Sequence, residues 1–145
     1  MRIMALDIGE KRIGVAVSDE LLLTAQGVSV LESKGAAKDL VQIGALMKEH
    51  AVTHLVLGLP RNMNGSYGPM ADKVREFGVK LSESQPGIPV DYWDERLSTT
   101  AAQRVLVDAD MSRERRRKVV DKVAAVLILQ GYMDLLARKR NTIQE

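Results

Sequence analysis

The sequence predicts an α/β protein built on a five-stranded mixed sheet with helices on both faces. Three short apolar runs follow one another at the start of the chain, which favours an antiparallel meander. Two later runs alternate with segments of helical spacing, the pattern of parallel strands joined by right-handed crossovers. The 145 residues suit one core. We therefore expect a single domain over residues 1–138 and a polar tail over residues 139–145.

The first two strands are predicted to form a hairpin with an acid on its inner strand. The apolar run that opens the chain ends near Asp7, and a second strand, Ile13 to Val17, follows a turn that contains glycine. A third strand is predicted at Ala25 to Leu31. A buried carboxylate is costly unless it is paired or bound to metal, so Asp7 is a candidate site residue. The alternative is a turn aspartate that bonds the local backbone.

Helices and strands alternate in the second half. Apolar residues at helical spacing predict a helix over Ala36 to His50 and another over Met70 to Glu83. Between and after them, short apolar runs predict strands at Val52 to Gly58 and Ile88 to Trp93. Two further helices are expected at Thr100 to Asp108, capped by Ser98 or Thr99, and from Arg113 or Val119 to Arg138.

Composition excludes several classes of site. The chain has no cysteine, so disulfides, zinc–thiolate sites and thiol catalysis are ruled out. No apolar run approaches the roughly 20 residues that span a bilayer, and Met1 leads straight into a strand without a signal-peptide pattern. We therefore expect a cytoplasmic protein with no membrane partner. Aromatic residues make up only 3% of the chain, which argues against a base-stacking platform.

Three carboxylates are predicted to converge. Sites in β-α-β structures form outside the carboxyl ends of parallel strands, and Glu95 lies two residues past the strand that ends at Trp93. Asp7 reaches the same edge if its strand runs parallel to the later two. Asp121 shares one face of the last helix with apolar residues, among them two small alanines that would let the helix approach the sheet. The alternative for Asp121 is an acid that favours the helix macrodipole.

Converging carboxylates repel one another unless a cation holds them. Hard divalent cations prefer oxygen ligands, so the three acids suggest Mg²⁺ or Mn²⁺. Two such ions together activate water and stabilise a leaving oxygen in phosphodiester cleavage.

Basic residues cluster at the start of the last helix although the net charge is only +2. Six of them lie between residues 111 and 122: Arg113, Arg115, Arg116, Arg117, Lys118 and Lys122. A local cluster of this kind binds phosphates without a basic protein overall. The alternative is a solvated helix start.

Four blocks of sequence, in order and with matching spacing, carry a resemblance to a known family. They are Leu6-Asp7-Ile8-Gly9 with Lys11-Arg12-Ile13-Gly14 and Ser18-Asp19, then Gly58-Leu59-Pro60 with Gly65, then Asp94-Glu95-Arg96-Leu97-Ser98-Thr99, and finally Asp121-Lys122 with Ala124-Ala125. From Met1 to about Arg138 the chain resembles the YqgF/RuvX family. These are Holliday-junction-resolvase-like proteins with the RNase H fold, also described as pre-16S rRNA nucleases.

The resemblance implies a hydrolase: a two-metal endonuclease that acts on structured nucleic acid. Its acidic triad would be Asp7, Glu95 and Asp121, and its expected role is 5′-end processing of pre-16S rRNA in ribosome biogenesis. Better-studied relatives of the fold commonly carry the second acid at the end of the fourth strand, where this chain has Gly58-Leu59-Pro60 and no acid. Asp94 is the alternative to Glu95, although strand alternation should point Asp94 to the opposite side.

Several basic residues are hypothesised to contact phosphate. Lys11 and Arg12 lie in the first hairpin turn, Arg96 is beside Glu95, and the run that contains Arg115, Arg116 and Arg117 would follow the nucleic-acid backbone without reading sequence. The loop over residues 61–68 is rich in glycine and asparagine and would close over substrate.

Three other functions compete with rRNA processing. They are resolution of branched DNA junctions, a non-catalytic nucleic-acid-binding module in ribosome maturation or transcription, and a nucleotide-binding domain like those of sugar kinases and actin, which needs two such domains. Structured RNA is favoured over branched DNA as the partner. One core accounts for the apolar faces and favours a monomer, whereas a junction resolvase would require a two-fold dimer.

Overall fold

The computed structural model describes residues 1–62, 64–97 and 113–144, with the backbone alone for residues 113–121 and 141–144. A short 3₁₀ turn, Glu95–Leu97, follows the last strand. The longer elements, in chain order, are β1 (Ile3–Ile8), β2 (Arg12–Ser18), β3 (Ala25–Glu32), α1 (Ala36–Glu49), β4 (His54–Leu59), α2 (Pro69–Ser84), β5 (Val90–Asp94) and α3 (Arg113–Gln144).

The five strands form one sheet in the order β3-β2-β1-β4-β5. β2 pairs antiparallel with β1 and with β3, whereas β4 pairs parallel with β1 and with β5. This confirms the mixed sheet expected from the sequence, three antiparallel strands extended by two parallel ones. The carboxyl ends of β1, β4 and β5 therefore meet at one edge of the sheet, which is the edge where α/β proteins place their sites.

Helices cover both faces of the sheet, as predicted. Side chains alternate along each strand, so one strand contributes to the core on either face. Met4, Leu6 and Ile8 of β1 belong to a core that includes residues of α1 and α2. Ile3 and Ala5 point the other way, into a second core built with α3. Each buried strand is therefore apolar on both sides, which explains why these strands appear in the sequence as continuous apolar runs.

The helices bury one face each. Ile43 and Met47 of α1 lie on the sheet side, and α2, which begins with Pro69 in its first turn, buries Val74 and Leu81. The predicted spacing therefore located both helices. Proline at the start of a helix loses no helical hydrogen bond, because a backbone N–H at that position has no acceptor within the helix.

The end of the chain differs from the expected boundaries. α3 continues to Gln144, past the end expected at Arg138. The helix predicted at Thr100 to Asp108 and its capping residues, Ser98 and Thr99, lie outside the described residues. Within the part of the chain that the structure describes, no helix combines the length and the apolar character needed to cross a membrane.

Candidate active site

Asp7 lies inside a strand and not in a turn. Its neighbour in the sheet is Gly14 of β2, and the turn itself is closed further on, where Gly9 N–H donates to the Arg12 carbonyl at 2.8 Å. Only 6% of Asp7 is exposed. It follows Ile3 and Ala5 at alternate positions, so its side chain is on the face of the sheet covered by α3.

Glu95 reaches the same face from the 3₁₀ turn after β5. Its Oε1 lies 2.8 Å from the point where a Cβ on Gly58 would be, and the end of the Ile128 side chain also occupies that space. The carboxylate therefore extends back from beyond β5 and lies over β4. This close approach is possible because Gly58 has no side chain.

The strand register brings Asp7 and Glu95 towards one another. Leu6 is paired with Leu57, so Asp7 is level with the next residue of β4, Gly58. Gly58 is in turn paired with Trp93 of β5. Asp7 thus lies on one side of Gly58, and the Glu95 carboxylate lies above it. The two acids predicted to share an edge do share it, and they also share a face.

Asp121 belongs to α3, and its side chain is outside the described residues. One turn further along, Ala124 and Ala125 are fully buried. The Lys122 side chain packs so closely over Gly27 of β3 that its Cγ would be 2.6 Å from a Cβ there. This turn of α3 therefore lies against the antiparallel half of the sheet. The role of Asp121 as the third carboxylate stays a prediction.

Asp94 has different partners from Glu95. Its carboxylate accepts hydrogen bonds from the Arg96 backbone N–H at 3.0 Å, from Arg96 Nη2 at 3.0 Å and from Arg61 Nη1 at 3.2 Å. Burial raises the pKa of Asp94, but the bonds from Arg96 and Arg61 outweigh burial and lower it below the usual value. Two arginines thus occupy this carboxylate. The role of Glu95 as the second acid stays a prediction.

The predicted phosphate-binding residues are spread over three regions, one of which is the turn after β5 that contains Arg96. Lys11 is exposed in the first hairpin turn, and Arg12 is half-buried at the start of β2. α2 supports this turn, since Lys73 Nζ donates to the Gly9 carbonyl at 3.3 Å and to the Glu10 carbonyl at 3.4 Å. Another of these regions is the start of α3, which contains Arg115, Arg116 and Arg117. Their side chains lie outside the described part of the chain.

Arg96, which was predicted to contact phosphate, belongs to a basic group whose other members were not predicted. The Arg61 guanidinium lies 4.5 Å from the centre of the Tyr67 ring, and that of Arg75 lies 4.1 Å from it. Arg96 joins this group through Asp94, which it shares with Arg61. The sequence offered one indication, a lone tyrosine in a polar loop between two arginines, but nothing in the spacing shows that these side chains meet.

The donor set suits a hard cation. Asp7 and Glu95 supply carboxylate oxygens, which are the ligands that Mg²⁺ and Mn²⁺ prefer. Among the described side chains, no three His, Cys, Asp or Glu residues are grouped so that they could hold a metal. The Asp121 side chain is not one of the described ones, so the fit of a metal rests here on the pair.

Comparison with known families identifies the chain. A family model described as "RuvX: Holliday junction resolvase" matches residues 1–135. The chain belongs to the RuvX family. This is a family of nucleases, and the sequence motifs and the fold described above agree with the assignment.

Relatives in the RuvX family match over nearly their whole length. A protein of Heliobacterium modesticaldum named "Putative pre-16S rRNA nuclease" is 57% identical over 137 residues, which cover 94% of this chain and 91% of that protein. A protein of the same name from Desulfitobacterium hafniense is 51% identical over 145 residues and covers all of both chains.

Solved structures share the fold at low sequence identity. The RuvC protein of T. thermophilus, solved in complex with a Holliday junction substrate, is 12% identical, with a TM-score of 0.57 over 93% of this chain and 96% of that one. A yeast mitochondrial Holliday junction resolvase is also 12% identical, with a TM-score of 0.56 over 96% of this chain and 80% of that one. The RuvX chain therefore has the RNase H-like fold of these resolvases.

Proposed function

We propose that this RuvX protein is a metal-dependent endonuclease that processes the 5′ end of pre-16S rRNA. The observation that carries the proposal is the placement of Asp7 and Glu95 on one face of the sheet, at the carboxyl ends of β1 and β5, with Asp7 beside Gly58 and the Glu95 carboxylate above it. Membership of the RuvX family supports the cleavage of phosphodiester bonds. The names of relatives more than 50% identical support the choice of rRNA.

Asp7, Glu95 and Asp121 would hold two divalent ions in this proposal. Bound there, Mg²⁺ or Mn²⁺ would supply an activated water and a positive charge for the leaving oxygen. The chain's own contribution is to keep the carboxylates in place before substrate arrives. β1 fixes Asp7 within the sheet, and the 3₁₀ turn after β5 carries Glu95 over Gly58.

The buried position of Asp7 also strengthens its interaction with a bound cation. Only 6% of the residue is exposed, and interactions between charges are stronger where bulk water is excluded. Electrostatic stabilisation of this kind is commonly the largest contribution to catalysis.

Cleavage of two substrates side by side tests the proposal. An end-labelled fragment of pre-16S rRNA and a four-way DNA junction would each be incubated with Mg²⁺, Mn²⁺ or a chelator. We expect metal-dependent cutting of the RNA, and no cutting by the Asp7→Asn variant. The expected loss is at least about 100-fold, the scale on which removal of one electrostatic group slows catalysis.

Two outcomes would replace the proposal. Cutting of the junction alone would assign the protein as a resolvase of branched DNA, the activity in the family description. Tight binding of RNA without cutting under any metal condition would assign it as a non-catalytic module in ribosome maturation or transcription. Activity of Asp7→Asn equal to that of the unchanged protein would remove Asp7 from the site.

A further inference from the structure

We propose that Arg61, Tyr67, Arg75 and Arg96 form a preformed clamp for the backbone phosphates of the substrate, here called the arginine clamp. This inference rests on the proposed function in one respect, that the substrate is a nucleic acid. The clamp lies at the carboxyl ends of β4 and β5 and the start of α2, on the opposite side of the sheet edge from the face where Asp7 lies.

Arg61 fixes the loop that follows β4. Its Nε and Nη2 donate to the Gly65 carbonyl at 3.0 and 2.5 Å, and its Nη1 donates to Asp94 at 3.2 Å. Within the loop, Asn62 Nδ2 donates to Ser66 Oγ at 3.0 Å. The loop was expected to close over substrate, but these bonds already hold it against β5. Because its residues are already ordered, the clamp would bind substrate with a smaller loss of conformational entropy.

Of the three arginines in the clamp, Arg75 has the most exposed side chain. It extends from α2, and 41% of its side chain is exposed. Its one ion pair among the described residues is with Asp72 at 3.7 Å, and 71% of that carboxylate is exposed, so the pair contributes little. Stacking on Tyr67 orients the guanidinium while its N–H groups remain available to an anion.

The charges in the clamp favour an anion. Three guanidinium groups face two carboxylates, Asp94 and Asp72, and Asp94 is shared between Arg61 and Arg96. The bond with Asp94 raises the pKa of Arg96. Each guanidinium has five N–H donors in a planar fork that matches the oxygens of a phosphate. The bonds from Arg61 and Arg96 to Asp94 and Gly65 use some of these donors and leave others for a ligand.

The clamp adjoins the proposed active site along the chain. Arg96 directly follows Glu95 in the same 3₁₀ turn, and Asp94 directly precedes it. A strand whose phosphates lie on the clamp would therefore pass beside the Glu95 carboxylate. Since the arginines contact phosphates and Tyr67 is covered by guanidinium groups, the clamp would position the strand without reading its sequence.

Salt-dependent binding tests the clamp without any need for cleavage. Two labelled probes would be titrated in chelator at several salt concentrations, an RNA stem-loop with single-stranded flanks and a four-way DNA junction. All variants would be made in the Asp7→Asn protein, so that no probe is cut. For Arg75→Gln we expect the slope of log K against log [salt] to fall in magnitude by about 0.7 to 0.9, the value for one lost phosphate contact.

Matched variants separate charge from orientation. Tyr67→Ala keeps all charges but releases the guanidinium groups, so we expect weaker binding with the salt slope unchanged. Tyr67→Phe keeps the ring and should bind like the parent. Arg2→Gln is the control for a lost arginine, since Arg2 pairs with Glu20 at 3.4 Å at the start of β1, the far edge of the sheet. It should leave the slope unchanged on both probes.

The results separate the clamp from the proposed function. An unchanged salt slope for Arg75→Gln on both probes would overturn the clamp, even for a protein that cleaves RNA. A reduced slope on at least one probe supports the clamp, even if metal-dependent cleavage is never observed. An effect on one probe alone would also identify whether RNA or DNA phosphates occupy it.

Discussion

At the scale of single residues, the position of the second carboxylate depends on a residue that has no side chain. Gly58 leaves space on the α3 face of β4, and the Glu95 carboxylate fills that space together with Ile128. Because β4 lies between β1 and β5, this arrangement moves a charge from the edge strand towards Asp7 in the interior of the sheet. The glycine thus acts on the site through Glu95, without contributing a functional group of its own.

Gly58→Ala tests this dependence. A Cβ at position 58 would lie 2.8 Å from Glu95 Oε1 and would also overlap Ile128. We expect a loss of about 1–3 kcal/mol in the free energy of unfolding, the usual cost of overpacking, together with slower cleavage because the carboxylate is displaced. Chemical denaturation and the RNA cleavage assay measure the two effects.

Gly44→Ala is the matched control. Gly44 lies within α1, where the nearest neighbour of an added Cβ is the end of the Gln85 side chain at 3.1 Å. Alanine is favoured over glycine inside a helix by about 0.5–1 kcal/mol, so stability should hold or rise and activity should not change. Equal activity of both variants would show that Gly58 does not position Glu95.

At the scale of elements, a polar contact fixes α3 to β5, the outermost strand of the parallel half of the sheet. The Tyr132 hydroxyl donates to Asp91 Oδ2 of β5 at 2.8 Å. Burial, together with the bond to Asp91, raises the pKa of Tyr132 to about 12. The same helix carries Asp121 about three turns earlier, so the orientation of α3 on the sheet also sets where that acid lies.

Tyr132→Phe should therefore be least harmful at high pH. The folded pKa of Tyr132 is above its usual value of 10, so its stabilising effect is complete below about pH 10 and is lost as the pH rises towards 12. We expect a loss of about 0.5–1.5 kcal/mol near neutral pH, the contribution of one hydrogen bond. The difference from the unchanged protein should shrink between pH 10 and 12.

Denaturant unfolding at a series of pH values measures this. Tyr67→Phe, which alters an exposed ring, is the control and should follow the unchanged protein throughout. A difference for Tyr132→Phe that stays constant from pH 7 to 12 would mean that neither burial nor the contact with Asp91 raises the pKa of Tyr132.

At the scale of the whole molecule, negative and positive charges lie on opposite faces of the sheet, at the carboxyl ends of the parallel strands. Asp7 and Glu95 lie on the α3 side, whereas the arginine clamp lies on the side of α1 and α2. A nucleic acid bound across this edge would place its phosphates on the clamp and present one of them to the carboxylates. The modest net charge of +2 is compatible with this binding because the clamp concentrates cations locally.

Divalent metal should stabilise the folded protein if the carboxylates bind it. A ligand that binds only the folded state adds about 2.7 kcal/mol at 100 times its Kd, so we expect Mg²⁺ or Mn²⁺ to raise the Tm. Asp7→Asn, Glu95→Gln and Asp121→Asn should each reduce this increase, whereas Asp72→Asn, which changes an exposed acid of α2, should retain it. Thermal unfolding with and without metal is the measurement.

Equal metal-induced shifts in all four variants would assign the stabilisation to ions bound elsewhere. Loss of the shift in Asp121→Asn alone would keep a metal site on α3 but separate it from Asp7 and Glu95. Either result is independent of whether cleavage is detected.

The sequence predicted the sheet because burial on both faces leaves unmistakable apolar runs, as in Ile3–Ile8 of β1. It also predicted that Asp7 and Glu95 would share an edge, because that follows from parallel strands alone. It did not predict the arginine clamp, since contacts between Arg61, Tyr67 and Arg75 depend on loop conformation and side-chain rotamers. Nor did it predict that Glu95 would lie over Gly58, because a glycine near a strand end usually indicates only a turn or bulge.

The space above Gly58 can receive an acid by two routes. In this chain a long side chain reaches it from the neighbouring strand, while an aspartate at position 58 would enter it directly from β4. The two routes exclude each other, since both acids would compete for one volume and their charges would repel. A change of route therefore requires paired substitutions, one that adds an acid to β4 and one that removes the acid after β5. Proteins of this fold can thus keep the same local chemistry while the residue that supplies it moves along the chain, and an alignment column at either position alone would misjudge which members retain the site.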